Sequence, residues 1–257
     1  MIISSGAKKP NVHASAYVAP TAVVSGDVTI EEGCAILFGA VITAEGAPVV
    51  VGANSVVMEN AVVKSSGGNA MQFPCTIGES CIVGPSAYVV GATVEPGAFI
   101  ASGARIFNGA TVEEGVSVAI GGIVHVNTRV QKGQHVAMQH IALGDPATIY
   151  PPNRAEEVHG KMNFFEDVFN LPNTADVRAK AAEAYSKFLR KTHAQDAALA
   201  EPAKKPAPKT PPRKTAEEPP PSQAVEVEKV VDVMFVELEE ARLRREAAIA
   251  REKKGKR

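Results

Sequence analysis

The sequence has no tryptophan, and only 5% of its 257 residues are aromatic. A core built on a few large rings is therefore excluded, and we expect many small, repeated contacts among valine, alanine and glycine. The formal net charge is −1, which gives no electrostatic signature of a nucleic-acid-binding protein. No run of 18 apolar residues is present, so no membrane span is predicted.

Cysteine is also scarce. The three cysteines, Cys34, Cys75 and Cys81, form neither a Cys-x-x-Cys metal pattern nor an even set for disulfides. The N-terminal MIISSGAKKP lacks the apolar segment of a secretory signal. These features predict reduced thiols and a cytoplasmic protein.

The sequence has instead a six-residue period of aliphatic residues. The side chains that keep it are Val12, Val18, Val24, Ile30, Ile36, Ile42, Val51, Val57, Val63, Ile77, Val83, Val89, Val94, Ile100, Ile106, Val112, Val118, Val124, Val130 and Val136. Residues that tolerate tight corners recur between them, namely Gly33, Gly39, Asn54, Asn60, Gly97, Gly103 and Gly109. This period predicts an all-β, hexapeptide-repeat, left-handed parallel β-helix. Three hexads form one triangular coil, and the aliphatic side chains stack inward.

The period divides the chain into segments. It predicts a β-helix over residues 1–150, with loops at 43–48 and 65–74 where the period is interrupted. Residues 151–195 are predicted to contain a helix from Thr174 to His193 that packs on the β-helix. Its apolar face is Val177, Ala181, Tyr185, Phe188 and Leu189, and Asn173 or Thr174 is the expected N-cap.

The C-terminal quarter has a different composition. Residues 196–223 are predicted to be a disordered linker, because 202–221 contain eight prolines. Residues 224–257 are predicted to be a helical tail whose end, 242–257, carries eight Lys or Arg and two Glu. The tail is a candidate for binding a protein partner, nucleic acid or lipid, and a solvated tail is the alternative.

Three stretches carry a resemblance to a known family, and they are ILFGAVITAEGAPVVVGANSVVMENAVVK, PCTIGESCIVGPSAYVVGATV and ALGDPA. They resemble the γ-class carbonic anhydrase family, and the resemblance covers roughly residues 10–190. It implies a homotrimer of left-handed β-helices with three zinc sites at the subunit interfaces. A shorter stretch, ITAEGAPVVVGANSVVMENAVV, resembles the small hexapeptide-repeat subunits of dynactin, which are non-catalytic assembly surfaces.

The resemblance places this chain's residues at the family's functional positions. The family has Arg-Gly-Asp after the position of Ile42 and Gln-Asp after that of Val57. It has zinc-binding histidines at three further positions, which correspond to Lys64, Pro85 and Val90 in this chain. The residues of this chain at those positions are Thr43, Glu45, Met58, Glu59, Lys64, Pro85 and Val90. Zinc needs three protein ligands among His, Cys and carboxylates, so we expect a vestigial site with no catalytic and no metal-binding residue.

The six-residue period also predicts the geometry of these positions. Lys64 and Val90 follow anchors on one face in successive coils, so they should stack one strand spacing apart. Pro85 falls on another face and could complete a site only across a subunit boundary. We expect Lys64 to pair with Glu45 or Glu59, within one chain or across that boundary.

Alternatives remain open for the histidines. His125, His135 and His140 could form a new metal site, within one chain or across a trimer interface, and zinc would then be a cofactor. His125 could be an acyltransferase base at a subunit interface, or simply an interface side chain. The sequence thus predicts a non-catalytic trimer that acts as a binding or scaffold protein. A carbonic anhydrase with an altered metal site and a hexapeptide-repeat acyltransferase are the alternatives.

Overall fold

The structure is a computed structural model that describes residues 1–67, 71–158, 160–161 and 163–198. It is a parallel β-solenoid followed by short helices. Its strands in chain order are β1 Ile2–Ser5, β2 Asn11–Val12, β3 Tyr17–Val18, β4 Val23–Ser25, β5 Val28–Ile30, β6 Ala35–Ile36, β7 Val41–Thr43, β8 Val49–Val51, β9 Val56–Val57, β10 Val62–Lys64, β11 Ser66–Gly67, β12 Gln72–Phe73, β13 Cys75–Ile77, β14 Ile82–Val83, β15 Tyr88–Val90, β16 Thr93–Val94, β17 Phe99–Ile100, β18 Arg105–Ile106, β19 Thr111–Val112, β20 Ser117–Val118, β21 Ile123–Val124, β22 Arg129–Val130, β23 His135–Val136, β24 Ile141–Leu143, β25 Thr148–Tyr150 and β26 Asp196–Ala198.

Three parallel sheets form the faces of the solenoid. Face A contains β1, β4, β7, β10, β15, β18, β21 and β24, with β26 and β25 added antiparallel at its two ends. Face B contains β2, β5, β8, β13, β16, β19 and β22. Face C contains β3, β6, β9, β14, β17, β20 and β23. Each coil runs through faces B, C and A in that order, which confirms the predicted parallel β-solenoid of hexapeptide repeats.

The aliphatic residues of the period form the core. From Val24 to Val136 each of them is at most 1% exposed, and only Val12 and Val18 in the first coil are partly buried. The register explains this burial, because Val63 lies directly opposite Ile42 in one neighbouring strand and Val89 in the other. Burial of each such side chain contributes about 1.5–3 kcal/mol.

Corner residues adopt the left-handed conformation that the sequence indicates. Asn54 and Asn60 have φ angles of 58° and 57°. Gly39 has a φ of 72°, and a Cβ there would collide with Oδ1 of Asn60 in the next coil. An asparagine of one coil therefore requires a glycine in the coil beside it.

The second interruption of the period forms a hairpin instead of the loop predicted for 65–74. β11 and β12 pair antiparallel, with Ser66 opposite Phe73. Phe73 is only 8% exposed and packs beside Gly91. We call this hairpin the arm. It packs against the solenoid because Phe73 supplies an apolar side chain that can be buried there.

The loop at the first interruption, between β7 and β8, packs against the arm. Gly46 has a φ of 82°, and a Cβ at this position would collide with the carbonyl oxygen of Gly67 and approach Phe188 Cζ at 3.1 Å. Glycine is required at position 46 because the β7–β8 loop, the arm and the C-terminal helix are in close contact there and leave no room for a Cβ atom.

Helices follow the last coil. A 3₁₀ segment covers Pro152–Val158, α1 covers Phe164–Phe169 and α2 covers Val177–Thr192. The structure confirms the predicted helix and its apolar face, since Val177 and Ala181 are buried. The predicted cap is wrong, because Asp176 occupies the N-cap position of α2 instead of Asn173 or Thr174.

The strand β26 lies at the start of the predicted linker. Its residues Asp196–Ala198 pair antiparallel with β1, so these three residues belong to face A and not to a linker over 196–223. The remainder of that range and the predicted tail 224–257 lie outside the described residues. Among the helices that the structure describes, none is long and apolar enough to cross a membrane.

We expect Ile106→Ala to destabilise the solenoid by about 2–5 kcal/mol, since it leaves a cavity in a fully buried row. Urea unfolding followed by circular dichroism measures the change. Arg105→Ala, at the exposed neighbouring side chain, is the matched control and should cost far less. Equal losses in the two variants would contradict an inward-facing row of aliphatic residues.

Candidate functional site

The first set of predicted site positions lies in one row along face A. Lys64 in β10 is paired in register with Thr43 in β7 and with Val90 in β15. The predicted stacking of positions 64 and 90 in neighbouring coils is therefore present in the structure.

The second set lies at the corner between faces C and A. Met58 and Glu59 follow β9, and Pro85 follows β14 in the adjacent coil. The backbone N–H of Ser86 donates to the Glu59 carbonyl oxygen at 2.9 Å, which joins the two coils at this corner. This corner precedes face A, whereas Lys64 stands at the end of a strand on that face. A single chain therefore does not bring Pro85 to Lys64.

Lys64 and Glu45 form a largely buried ion pair. Lys64 Nζ lies 2.9 Å from Glu45 Oε2, and the side chains are only 16% and 10% exposed. The hydroxyl of Tyr185 on α2 donates to the same carboxylate oxygen at 3.0 Å. The expectation that Lys64 pairs with Glu45 or Glu59 is confirmed for Glu45, within one chain.

Several groups hold Glu45 in place. Its backbone N–H donates to Ser65 Oγ at 2.8 Å, and Ser65 Oγ donates to the Ala47 carbonyl oxygen at 2.5 Å. His193 Nε2 lies 4.0 Å from Glu45 Oε1, and its Nδ1 lies 2.7 Å from an Asp196 carboxylate oxygen. The sequence identified neither Tyr185 nor His193 as a site residue; for Tyr185 it indicated only a packing position on a helix.

The pKa directions show which protonation states this cluster favours. Burial disfavours the ammonium of Lys64, but the hydrogen bond and charge of Glu45 outweigh that effect, so the pKa of Lys64 is raised. For Tyr185, burial raises the pKa, and the positive charge of the nearby Lys64 ammonium opposes this rise. Lys64 is therefore protonated at neutral pH and has no lone pair for a metal or an electrophile.

The residues at the ligand positions do not fit zinc. Lys64 is an ammonium bound to Glu45, Val90 is an apolar side chain that is 5% exposed, and Pro85 has no donor atom in its side chain. Among the described residues no group of three or more His, Cys, Asp or Glu side chains is placed to hold a metal ion. His125, His135 and His140 are among these residues, so within one chain the structure does not bring the three histidines together as a site.

His125 lies two strands from Val90 on the same face and packs against an aromatic ring. Its ring centroid is 6.0 Å from that of Phe107. The backbone N–H of Val126 donates to His125 Nδ1 at 2.9 Å, so a neutral His125 ring carries its proton on Nε2. Burial lowers the pKa of His125, and the charge of Asp167 opposes this shift. A ring in this tautomer has no free lone pair on Nε2 for base catalysis.

We expect the Lys64–Glu45 pair to show coupling in a double-mutant cycle. Lys64→Met or Glu45→Gln alone leaves one largely buried charge without its opposite charge and should cost about 1–3 kcal/mol. The double variant should cost less than the sum, and urea unfolding measures all four corners of the cycle. The matched control is the exposed pair Lys132–Glu114, whose side chains are 65% and 60% exposed and should be almost uncoupled. Coupling no greater than in the control pair would rule out a structural role for the buried pair.

His125 should make the protein sensitive to acid. Because its pKa in the folded state is below the ordinary value of 6.5, its contribution is fully present above pH 6.5 and is lost as pH falls through the folded pKa. His125→Phe keeps a ring beside Phe107 and removes the titration. Melting temperatures between pH 7.5 and 4.5 should fall less steeply in this variant than in the wild type. His135→Phe, at an exposed side chain, is the matched control, and identical slopes for wild type and His125→Phe would refute the assignment.

Comparison with known proteins shows a local similarity in sequence. No family model matches the chain. Gamma carbonic anhydrase 3, mitochondrial, of Arabidopsis thaliana is 36% identical over 75 residues, which cover 28% of this chain and 29% of that protein. The match thus spans less than a third of the relative's length.

Solved structures with a similar fold include a hexapeptide transferase family protein from Anaplasma phagocytophilum. It is 17% identical, the match covers 76% of this chain and 98% of that chain, and the TM-score is 0.42. A GDP-perosamine N-acetyltransferase mutant from Caulobacter crescentus, solved with CoA and GDP-perosamine, is 26% identical with a TM-score of 0.29. The match covers 52% of this chain and 57% of that one. In sequence, therefore, the chain is similar to a γ carbonic anhydrase over one local segment.

Proposed function

We propose that this chain is a non-catalytic, γ-carbonic-anhydrase-like protein that acts as a binding or scaffold protein and assembles as a homotrimer. The observation that carries the proposal is the ion pair between Lys64 and Glu45 at the position where the family has a zinc-binding histidine. An ammonium in that place repels a cation, and it already occupies the carboxylate of Glu45.

The cluster stabilises the contact between the solenoid and α2. Glu45 accepts from Lys64 on face A and from Tyr185 on α2, so one carboxylate joins two elements that are far apart in sequence. Removing Glu45 takes the hydrogen-bond acceptor from both Lys64 and Tyr185, which costs free energy because both side chains are partly buried. In a metalloenzyme of this class, zinc would lower the pKa of a bound water. In this chain Lys64, Glu45 and Tyr185 would instead hold α2 against the solenoid.

A scaffold role fits the architecture of the solenoid. Its strands are locked in register from β4 to β24, which makes a rigid prism suited to hold partners at fixed spacing. In a trimer three copies of the C-terminal region would be presented together, and this raises the effective concentration for a shared partner. The resemblance to the dynactin subunits favours the same role, and it stays a prediction, as do the left-handed coiling and the trimer.

We place the protein in a reducing compartment, the cytoplasm. Cys34, Cys75 and Cys81 are all buried and free. Burial raises the pKa of Cys75 to about 11, so its thiol is an unreactive core group. The similar protein of Arabidopsis thaliana is named as mitochondrial, and cell fractionation distinguishes the two locations.

Metal analysis of the purified full-length chain tests the loss of zinc. We expect much less than one zinc per trimer and no CO2 hydration above the uncatalysed rate. The triple variant Lys64→His/Pro85→His/Val90→His should gain zinc, because it restores three imidazole ligands at the positions that the resemblance assigns. The single variant Lys64→His is its control and should not retain the metal.

The wild-type result decides between this proposal and its enzymatic alternative. Stoichiometric zinc with turnover in the wild type would overturn the proposal in favour of a carbonic anhydrase with an altered site. Saturable acyl-CoA binding that is lost in His125→Phe would favour the acyltransferase.

Sedimentation equilibrium of the same preparation measures the oligomeric state, and a monomer at micromolar concentration would refute the trimer.

A further inference from the structure

A cleft of about 770 Å³ lies between face A, the arm and the two helices. Its volume is within the range of small-molecule binding sites, roughly 300–1,000 Å³. The ion pair of Lys64 forms one boundary, and the cleft extends from it along the row that contains Val90 and Phe107. Lys64 and Val90 line the cleft, so it includes two of the positions that the resemblance assigns to zinc ligands, and the scaffold proposal gives it no ligand.

Aromatic rings line the cleft on opposite sides. On the solenoid side the ring centroids of Tyr88 and Phe107 are 6.3 Å apart. On the helix side Phe169 and Tyr185 are 5.8 Å apart, and Tyr185 stacks on Phe188 at 6.3 Å. Rings on both walls offer a large apolar surface to a ligand that enters between them.

The charged side chains among the described lining residues of the cleft are all lysines. Lys187 and Lys191 line its rim and stand one turn apart on α2, and both side chains are exposed. Neither forms an ion pair with any described residue, and none of the described lining residues is Asp or Glu. The third lysine, Lys64, is already neutralised by Glu45. Two lysines without a carboxylate partner at the mouth of an apolar cleft favour an anionic group at that mouth.

The inner end of the cleft is polar but uncharged. Asn108 is 4% exposed and donates from Nδ2 to Ser66 Oγ, which is also buried. These two side chains satisfy each other, and among the described side chains no buried nitrogen or oxygen lacks a hydrogen-bond partner. The charged group of a ligand is therefore recognised at the rim and not at this end.

We propose that the cleft binds a small amphiphilic carboxylate. Its apolar body lies between the rings of the solenoid and those of the helices, and its carboxylate meets Lys187 and Lys191. This inference does not rest on the proposed function, since Lys187 and Lys191, which recognise the carboxylate, are not among the positions that the resemblance assigns to zinc ligands. Failure of the titration below would leave the metal analysis unaffected.

Isothermal titration of the full-length chain with decanoate tests the proposal. We expect saturable binding of one decanoate per chain. Decyltrimethylammonium, which has the same chain and the opposite charge, should bind at least about tenfold more weakly, because the rim repels it. A second titration with 2-naphthoate distinguishes the two sources of this chemistry. Tighter binding of 2-naphthoate would identify a flat aromatic acid, and tighter binding of decanoate an alkyl acid.

Two variants test the two halves of the site. Lys187→Glu/Lys191→Glu should weaken decanoate binding at least about tenfold, while Arg178→Glu/Arg190→Glu is the matched control on α2 outside the cleft lining. Ala184→Trp fills the cleft and should abolish binding of both acids. Circular dichroism checks that each variant is folded, and the exposed rim variants keep the test valid if Ala184→Trp unfolds.

Three results would overturn the proposal. The first is the absence of saturable binding for both acids. The second is equal binding of decanoate and decyltrimethylammonium. The third is an affinity that changes no more in Lys187→Glu/Lys191→Glu than in the arginine control.

Discussion

The structure depends on one constraint, namely that every sixth residue must be an aliphatic side chain that fits inside a narrow triangular coil. With each coil in register with the next, the row that contains Ile42, Val63 and Val89 is completely buried. The same register places side chains on the outside of the solenoid. It stacks Lys64 on Val90 and sets Met58 and Glu59 at a corner.

On that frame, a single carboxylate joins face A to α2. Glu45 accepts hydrogen bonds from Lys64 and Tyr185, and burial of the lysine charge is offset by the charge of Glu45 and by the hydrogen bond to it. The arrangement suits a contact between solenoid and helix, and it is unsuited to a cation. The adjoining cleft has aromatic walls and two exposed lysines at its rim, and Lys64 and Val90 line it as well.

The repeat, the core and the register could be predicted from the sequence because each is a local property repeated many times. The pairing of Lys64 could be predicted only as far as a choice between Glu45 and Glu59, and the structure selects Glu45, 19 positions away. The role of Tyr185 could not be predicted, because it lies 140 residues from Glu45 and reaches it only through the path of α2. The arm, the strand β26 and the Asp176 cap were missed for a related reason, since tertiary contacts outside the period determine them.

We propose that an ion pair occupies the place where the γ carbonic anhydrase family binds its metal, at Lys64. A crystal structure of the full-length chain grown with excess zinc, with anomalous diffraction recorded at the zinc absorption edge, tests this proposal. We expect no anomalous peak beside Lys64 and Val90, and a hydrogen-bonded contact between Lys64 Nζ and Glu45. An anomalous peak at that position, with Lys64 displaced from Glu45, would contradict it.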